Sequence, residues 1–365
     1  MSLFRLQCLN CGAHHSATIT KLNCDNCNGL LEIYYYQETS KDAPRLPLNL
    51  PTSQVTLGEG NSPTVHFKIL GEKLGLDGLW AKLEYLSPTG SFKDRGTSVM
   101  VSAALEEGVM EFVEDSSGNA GASLSAFAAA AGMKAHIFVP ASTSESKLNQ
   151  IRVYGATLHL IEGPRQAATK AAQAMVAQKD VLYLSHNYSA YFAEGMKSFS
   201  YEAISNAGTD IDHVVFPVGN GSLLVGALKG FDELVKANVL GITPKLHCVQ
   251  ASAISPVVAA INNKTWEWNP AERTIATGIS VSSPPRIEQV ISAVRTSSGS
   301  ATSVTDKHIL KWQRAIAKEE GIFCEPTSAA AFAGLEKLIK EGVIPNGSKV
   351  LVPVTGSGLK EPAAL

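Results

Sequence analysis

The 365-residue chain contains no run of 18 consecutive apolar residues, so nothing in it reads as a helix that crosses a bilayer. Its longest small-and-apolar tract, SAFAAAAGMKAHIFVP, is interrupted by Gly132, Lys134 and His136. An excess of one charge sign is also missing. Lys and Arg number 31 against 33 Asp and Glu, a formal net charge of −2, which leaves no electrostatic footprint for nucleic acid or an anionic membrane. The opening MSLFRLQCLNCG lacks an apolar leader and runs straight into cysteines, so the expected compartment is the cytoplasm. Internal repeats and low-complexity tracts are absent. Two phosphate fingerprints, G-x-G-x-x-G and G-x-x-x-x-G-K-[ST], are absent too, which argues against a nicotinamide dehydrogenase or a P-loop enzyme.

What is present is ordinary globular material, 45% hydrophobic and 18% charged, in a length that suits two domains or one large α/β body with an appendage. The six cysteines are unevenly spread. Four form Cys8-x2-Cys11-x12-Cys24-x2-Cys27. A two-residue gap makes a knuckle that aims two thiolates at one tetrahedral ion, and the longer gap allows a hairpin to bring the second pair opposite the first. This spacing predicts a structural zinc ribbon over residues 1–38, with rubredoxin-type iron as the alternative metal. Cys248 and Cys324 sit alone in apolar segments and read as buried hydrophobes. Residues 39–56, rich in Pro, Ser and Thr, read as a linker into a main body at 57–365.

In that body short apolar runs (MEFVED, KAHIFVP, ATLHLIE, VLYLS, DHVVFPV, KLHCVQA, KVLVPVT) alternate with helical stretches, the pattern of parallel sheets flanked by helices. Four strand-to-helix junctions carry polar residues. LWAKLEYL reads as a strand leading through SPTGSFKDRG, which places Lys93 at a helix start. VEDSSGNAG brings Ser116, Ser117 and Asn119 before an alanine-rich helix. VVFPVGNGSL brings Gly219, Asn220, Gly221, Ser222 and Leu223 to another helix start, where close backbone approach, aligned amides and the helix dipole suit a phosphate. VLVPVTGSGLK places Thr355 after the last strand. An amine, a phosphate cradle and a hydroxyl together match the needs of pyridoxal phosphate: a Schiff-base partner, a phosphate site and a group at the pyridine nitrogen. Asn119 offers a donor to the phenolic oxygen.

On these motifs the chain resembles, from about Leu57 to Pro362, the β-family (fold type II) of pyridoxal-phosphate enzymes, and within it the threonine synthases. SPTGSFKDRG is similar to the family's lysine motif at nearly every position, which makes Lys93 the Schiff-base lysine. SSGNAG resembles the loop that holds the substrate carboxylate and stacks an asparagine near the ring, implying those roles for Ser116, Ser117 and Asn119. VGNGSL resembles the phosphate loop, VTGSGLK the motif whose threonine faces the pyridine nitrogen, and EPTSAAA, from Glu325, a further late motif. The resemblance implies a two-lobed, tryptophan synthase β-like α/β fold with the cofactor between the lobes, a zinc ribbon in front, and a homodimer. It implies conversion of O-phosphohomoserine and water to threonine and phosphate. The same scaffold also serves serine/threonine or diaminopropionate ammonia-lyases and β-replacement enzymes such as cysteate synthase. A catalytically dead scaffold with a partner-binding ribbon would need Lys93 or the cradle to be spoiled, and both are intact.

Departures from the pattern concern the substrate. Gly278–Pro284 stands where the family carries Ala-Ile-Arg-Ile-Gly-x-Pro, Ser357 and Glu361 replace a histidine and an aspartate, and Ile151 replaces a serine. Arg152, Lys147 and Asn187 are the candidates for contacting the substrate instead.

Overall fold

The computed structural model describes residues 3–37, 41–50, 53–143, 145–163, 165–179 and 181–360. Glu361 lies outside them, as do residues 1, 2 and 38 of the expected ribbon and 39, 40, 51 and 52 of the expected linker. The chain divides into two compact units. Unit one comprises 1–40, 45–59 and 87–196, and unit two 41–44, 60–86 and 197–365.

Unit one begins with a three-stranded antiparallel ribbon in the order β2-β1-β3, from β1 (Phe4–Cys8), β2 (His14–His15) and β3 (Leu31–Tyr35). Phe4, Leu6 and Cys8 alternate inward along β1, the period-two pattern of a half-buried strand. Thr18 Oγ1 and the Ile19 amide donate to Glu107 at 2.6 and 2.7 Å, and Phe4 meets Tyr191 edge-on with centroids 6.1 Å apart. The rest of unit one is built on a parallel sheet, β8-β7-β6-β9, of β6 (Glu111–Glu114), β7 (Lys134–Pro140), β8 (Thr157–Ile161) and β9 (Leu182–Tyr183).

Unit two carries a six-stranded sheet in the order β12-β11-β10-β13-β5-β4. Its strands are β4 (Thr64–His66), β5 (Gly78–Lys82), β10 (His213–Pro217), β11 (Lys245–Ala251), β12 (Ala301–Val304) and β13 (Lys349–Pro353). Only β4 runs antiparallel. The continuous apolar run of β10 belongs to a strand covered on both faces. Helix Pro326–Lys340 is rich in Ala and carries Gly334 because it lies close on the sheet: a Cβ at Gly334 would stand 2.3 Å from Val249. Phe67 stacks on Phe332 at 5.6 Å within the same core.

The expected strands all fall in these sheets, while β4 and β12, short and polar, were not expected. LWAKLEYL is a strand only to Lys82, and Glu84–Leu86 turns as a 3-10 helix. The change follows from two buried charges. Lys82 Nζ donates to the Ser62 carbonyl at 2.9 Å and pairs with Glu202 at 2.9 Å, and Glu84 accepts from Ser62 Oγ at 2.8 Å. Among the described residues no helix is long and apolar enough to cross a membrane.

One buried pair sets an acid limit on unit two. The Ser300 amide donates to His247 Nδ1 at 3.2 Å, so that nitrogen is unprotonated and Nε2 carries the hydrogen toward His213 Nδ1, 2.9 Å away. Burial first, then the His213 and Lys245 charges, bring His247 down to about 3. An unfolded chain takes up this proton near the ordinary value of 6.5, so between these values the unfolded state binds more protons and stability falls as pH falls. The expected loss is on the order of 4 kcal/mol across that window. Guanidinium midpoints measured from pH 7 to 3 should show it, with a flatter dependence in His247→Gln.

Candidate active site

In unit one Lys93 is the first residue of helix Lys93–Glu106. The turn before it is held by Asp94, fully buried, whose carboxylate accepts from the Thr89 amide at 2.8 Å, Thr89 Oγ1 at 2.6 Å and Ser123 Oγ at 2.6 Å. Gln150 Nε2 donates to the Thr89 carbonyl at 2.8 Å from the other side. Lys93 Nζ lies 4.7 and 5.5 Å from the ring centroids of Phe92 and Phe192. The glycine that ends KDRG has a packing reason: a Cβ at Gly96 would stand 2.6 Å from the Phe192 carbonyl, and one at Gly195 would stand 2.4 Å from the Arg95 carbonyl. The hydroxyls of Ser87 and Ser91, on either side of this turn, are buried and have no hydrogen-bond partner among the described residues.

Asn119 opens helix Asn119–Ala130, with Gly118 at the N-cap and no side chain capping it. Ser116 lies just before it, and a Cβ at Gly121 would stand 2.0 Å from the Ser116 carbonyl, so this loop lies tight over the helix start. Asn187 follows His186 in the segment after β9 and is half-buried. Arg152 points elsewhere. It lies on the exposed side of helix Glu145–Val153, bonded to Glu145 at 2.5 Å and Asn149 at 3.3 Å, while Ile151 is buried in the core.

A cluster the sequence reading passed over sits beneath this set. Glu114, fully buried, accepts from the His186 amide at 3.1 Å, His186 Nδ1 at 3.2 Å and the Asp115 amide at 3.0 Å. Asp115 accepts from Thr169 and Tyr183. Burial pushes both acids up. Burial, then the charges of Lys93 and Arg165, hold His186 well below its ordinary value. The sequence signal was two consecutive acids at the end of an apolar strand, a placement that costs energy unless it is partnered.

In unit two the Gly219–Leu223 loop joins β10 to helix Ser222–Lys236. Gly221 is its N-cap at φ +82°, and no side chain caps it, so the first amides stay open to an anion. Space around the loop is tight: a Cβ at Gly219 would stand 2.8 Å from the Gly278 carbonyl, and one at Gly221 would stand 2.1 Å from Val290. The Gly278 amide in turn donates to Thr327 Oγ1 at 3.0 Å. Beside Thr327, Ser328 Oγ lies 2.9 Å from Thr355 Oγ1, which donates to Glu325 at 3.2 Å. The departing segment at Gly278 is therefore the wall that joins the cradle to the Thr355 cluster.

The four N-terminal thiols converge. Their sulfurs all lie within 4.8 Å of one another, with Cys8–Cys27 at 3.4 Å and Cys11–Cys24 at 3.7 Å. A tetrahedron with Zn–S bonds of about 2.3 Å has edges of about 3.8 Å, so the set fits. Burial opposes ionisation of Cys8, yet amide bonds from Cys11 and Asn10 outweigh it and bring that thiol down to about 6. The Gly29 amide favours the Cys27 thiolate, but Cys8 and Cys11 beside it push it up to about 12. Four thiolates this close need a cation.

A family model described as "Pyridoxal-phosphate dependent enzyme" matches residues 55–356. A protein of Methanosarcina acetivorans described as "Threonine synthase" is 35% identical over 99% of this chain and 93% of its own length. One of Methanocaldococcus jannaschii with the same description is 33% identical over 98% and 93%. Among solved structures, a fungal L-serine ammonia-lyase from Rhizomucor miehei superposes with a TM-score of 0.72 at 23% identity, covering 82% of this chain and 94% of its own. Threonine deaminase isoform 2 from Solanum lycopersicum gives 0.71 at 18%, covering 88% and 94%. At those identities the two structures show the shared fold alone.

The cradle yields a test. Gly221→Ala meets both a left-handed backbone and Val290, so it should cost about 1–3 kcal/mol and weaken pyridoxal phosphate binding at least about tenfold. Denaturant midpoints and cofactor titration read the two effects separately.

Proposed function

For this chain, which belongs to the pyridoxal-phosphate dependent enzyme family, we propose threonine synthase activity: water adds at the β carbon of O-phosphohomoserine and phosphate leaves. The carrying observation is that relatives described as threonine synthases align with 98–99% of the chain. The cysteine ribbon, the Lys93 turn and the cradle all fall inside those alignments. The residues also fit the cofactor, through the uncapped amides at Gly221–Leu223 and the hydroxyl cluster at Thr355.

Pyridoxal phosphate, when bound, supplies the electron sink that makes the substrate's α proton removable. Lys93 contributes the amine that holds the cofactor aldehyde, and its Nζ then moves protons among the α, β and γ carbons. The amides from Gly219 to Leu223, with Asn220 and the Ser222 hydroxyl, take the cofactor phosphate. Thr355 meets the pyridine nitrogen with a neutral hydroxyl, whose proton, given to Glu325 in this structure, would turn to that nitrogen when the cofactor is bound. A group of this kind leaves the nitrogen largely unprotonated and favours β chemistry. Ser116 and Ser117 hold the substrate carboxylate, and Asn119 donates to the phenolic oxygen. Asn187 takes part in substrate binding, a role for which Arg152 would first have to leave Glu145. For the ribbon we propose one structural zinc on Cys8, Cys11, Cys24 and Cys27, resting on the thiol geometry, and for the whole protein a cytoplasmic homodimer, resting on the family resemblance alone.

The test is to add O-phosphohomoserine to the purified protein and assay phosphate and threonine. Both should appear in equal amounts, and Lys93→Ala should lower the rate by about 10²–10⁴-fold and remove the visible band of the lysine-bound cofactor. A band that ignores phosphohomoserine and shifts with serine or phosphoserine would move the function to an ammonia-lyase or β-replacement enzyme. Metal analysis should find about one zinc per chain. Cys24→Ser should lose it together with much of the thermal stability of unit one. Bound iron would overturn the zinc assignment.

A further inference from the structure

A cavity of ≈ 680 Å³ opens at β12, the outer strand of the unit-two sheet. Its size falls among small-molecule sites, which run about 300–1,000 Å³. None of its lining belongs to the cradle or to the Thr355 cluster. It is reached along helix Pro326–Lys340, where Ser328 and Lys337 are separated by about 14 Å of helix.

The edge of β12 has an unusual polarity there. The Cys248 amide donates to the Ser300 carbonyl at 2.9 Å and the Ser252 amide to Val304 at 2.8 Å, so by strand alternation Ala301 and Ser303 face away from β11. A bare edge offers carbonyls and amides alike. Here both carbonyls are taken, Ala301 by Asn262 Nδ2 at 3.3 Å and Ser303 by Lys337 Nζ at 3.0 Å. The Ala301 and Ser303 amides have no acceptor among the described residues. An added peptide strand needs free carbonyls as well as amides, so this edge does not suit one. It suits an acceptor.

The surrounding charges narrow the class of ligand. Lys264 lines the cavity with no ion-pair partner among the described residues, and Lys337 stands 3.9 Å from Glu341. Val258, Leu338 and Val343 supply apolar surface, and Trp266 a flat aromatic one. We infer that this cavity binds a free α-amino acid with an apolar side chain. The carboxylate meets the Ala301 and Ser303 amides and the two lysines, the ammonium meets Glu341, and the side chain lies on the apolar surface.

Calorimetric titration of the cofactor-loaded full chain with L-isoleucine, L-phenylalanine and succinate tests this. At least one of the two amino acids should saturate the protein without altering the cofactor's visible band, and succinate should bind more weakly. Lys264→Met, a change at an exposed side chain, and Glu341→Gln should each weaken binding by about tenfold. Absence of binding by both amino acids would overturn the inference. So would binding that shifts the band, that ignores both substitutions, or that succinate matches. Because heat reports this cavity and the band reports Lys93, failure of the proposed activity would leave this result readable.

Discussion

The carboxylate of Asp94 holds the turn that carries Lys93. Lys93 occupies the first position of a helix, where the positive end of the dipole disfavours an ammonium by about 0.3–1 kcal/mol. Asp94, next in the chain, brings a negative charge to the same turn and ties it to Thr89 and, through Ser123, to helix Asn119–Ala130. That helix begins at the SSGN loop. One buried acid therefore ties the turn that carries the lysine to the helix that begins at the loop proposed to hold the substrate carboxylate. Placing lysine against the local rule, with an acid to support it, is consistent with the chemical role we propose for Lys93.

Unit two solves a different problem, how to leave backbone donors open to an anion without leaving a void. It does so with close packing of small residues. Gly219 lies against Gly278, Gly278 against Thr327, and Thr327 next to Ser328, which holds Thr355. Larger side chains at either glycine would push the wall off the loop. The Gly278 segment, which departs from the family pattern, thus keeps the packing that the cradle requires while its polar side chains differ.

This division explains what was legible beforehand. The parallel strands were visible because strands covered on both faces are written as unbroken apolar runs, as in HVVFP. Lys93, the SSGN loop and the glycine cradle were visible because junctions need glycine and small hydroxyl residues for stated backbone reasons. The strand β12 was hidden because Ala-Thr-Ser-Val carries no such run and gains its place from pairing with β11. The end of β5 was hidden because the burial of Lys82 depends on Glu202, far away in the sequence. Glu114 and His186 were missed for the same reason, since partners distant in sequence decide whether a buried acid is tolerable.

The ribbon joins the same chain of dependence through the far end of the Lys93 helix. Thr18 and Ile19 bond Glu107, the C-cap of that helix, and Asn49, Leu50 and Ser53 bond Glu106 one residue earlier. Carboxylates at a helix C-terminus oppose the dipole, so their retention follows from these external donors. Five residues of the ribbon and linker thus clamp the end of a helix whose other end is Lys93. The metal proposed for the thiol cluster would order the ribbon and so keep those donors in place. On that proposal the cysteines act on the position of Lys93 without touching it.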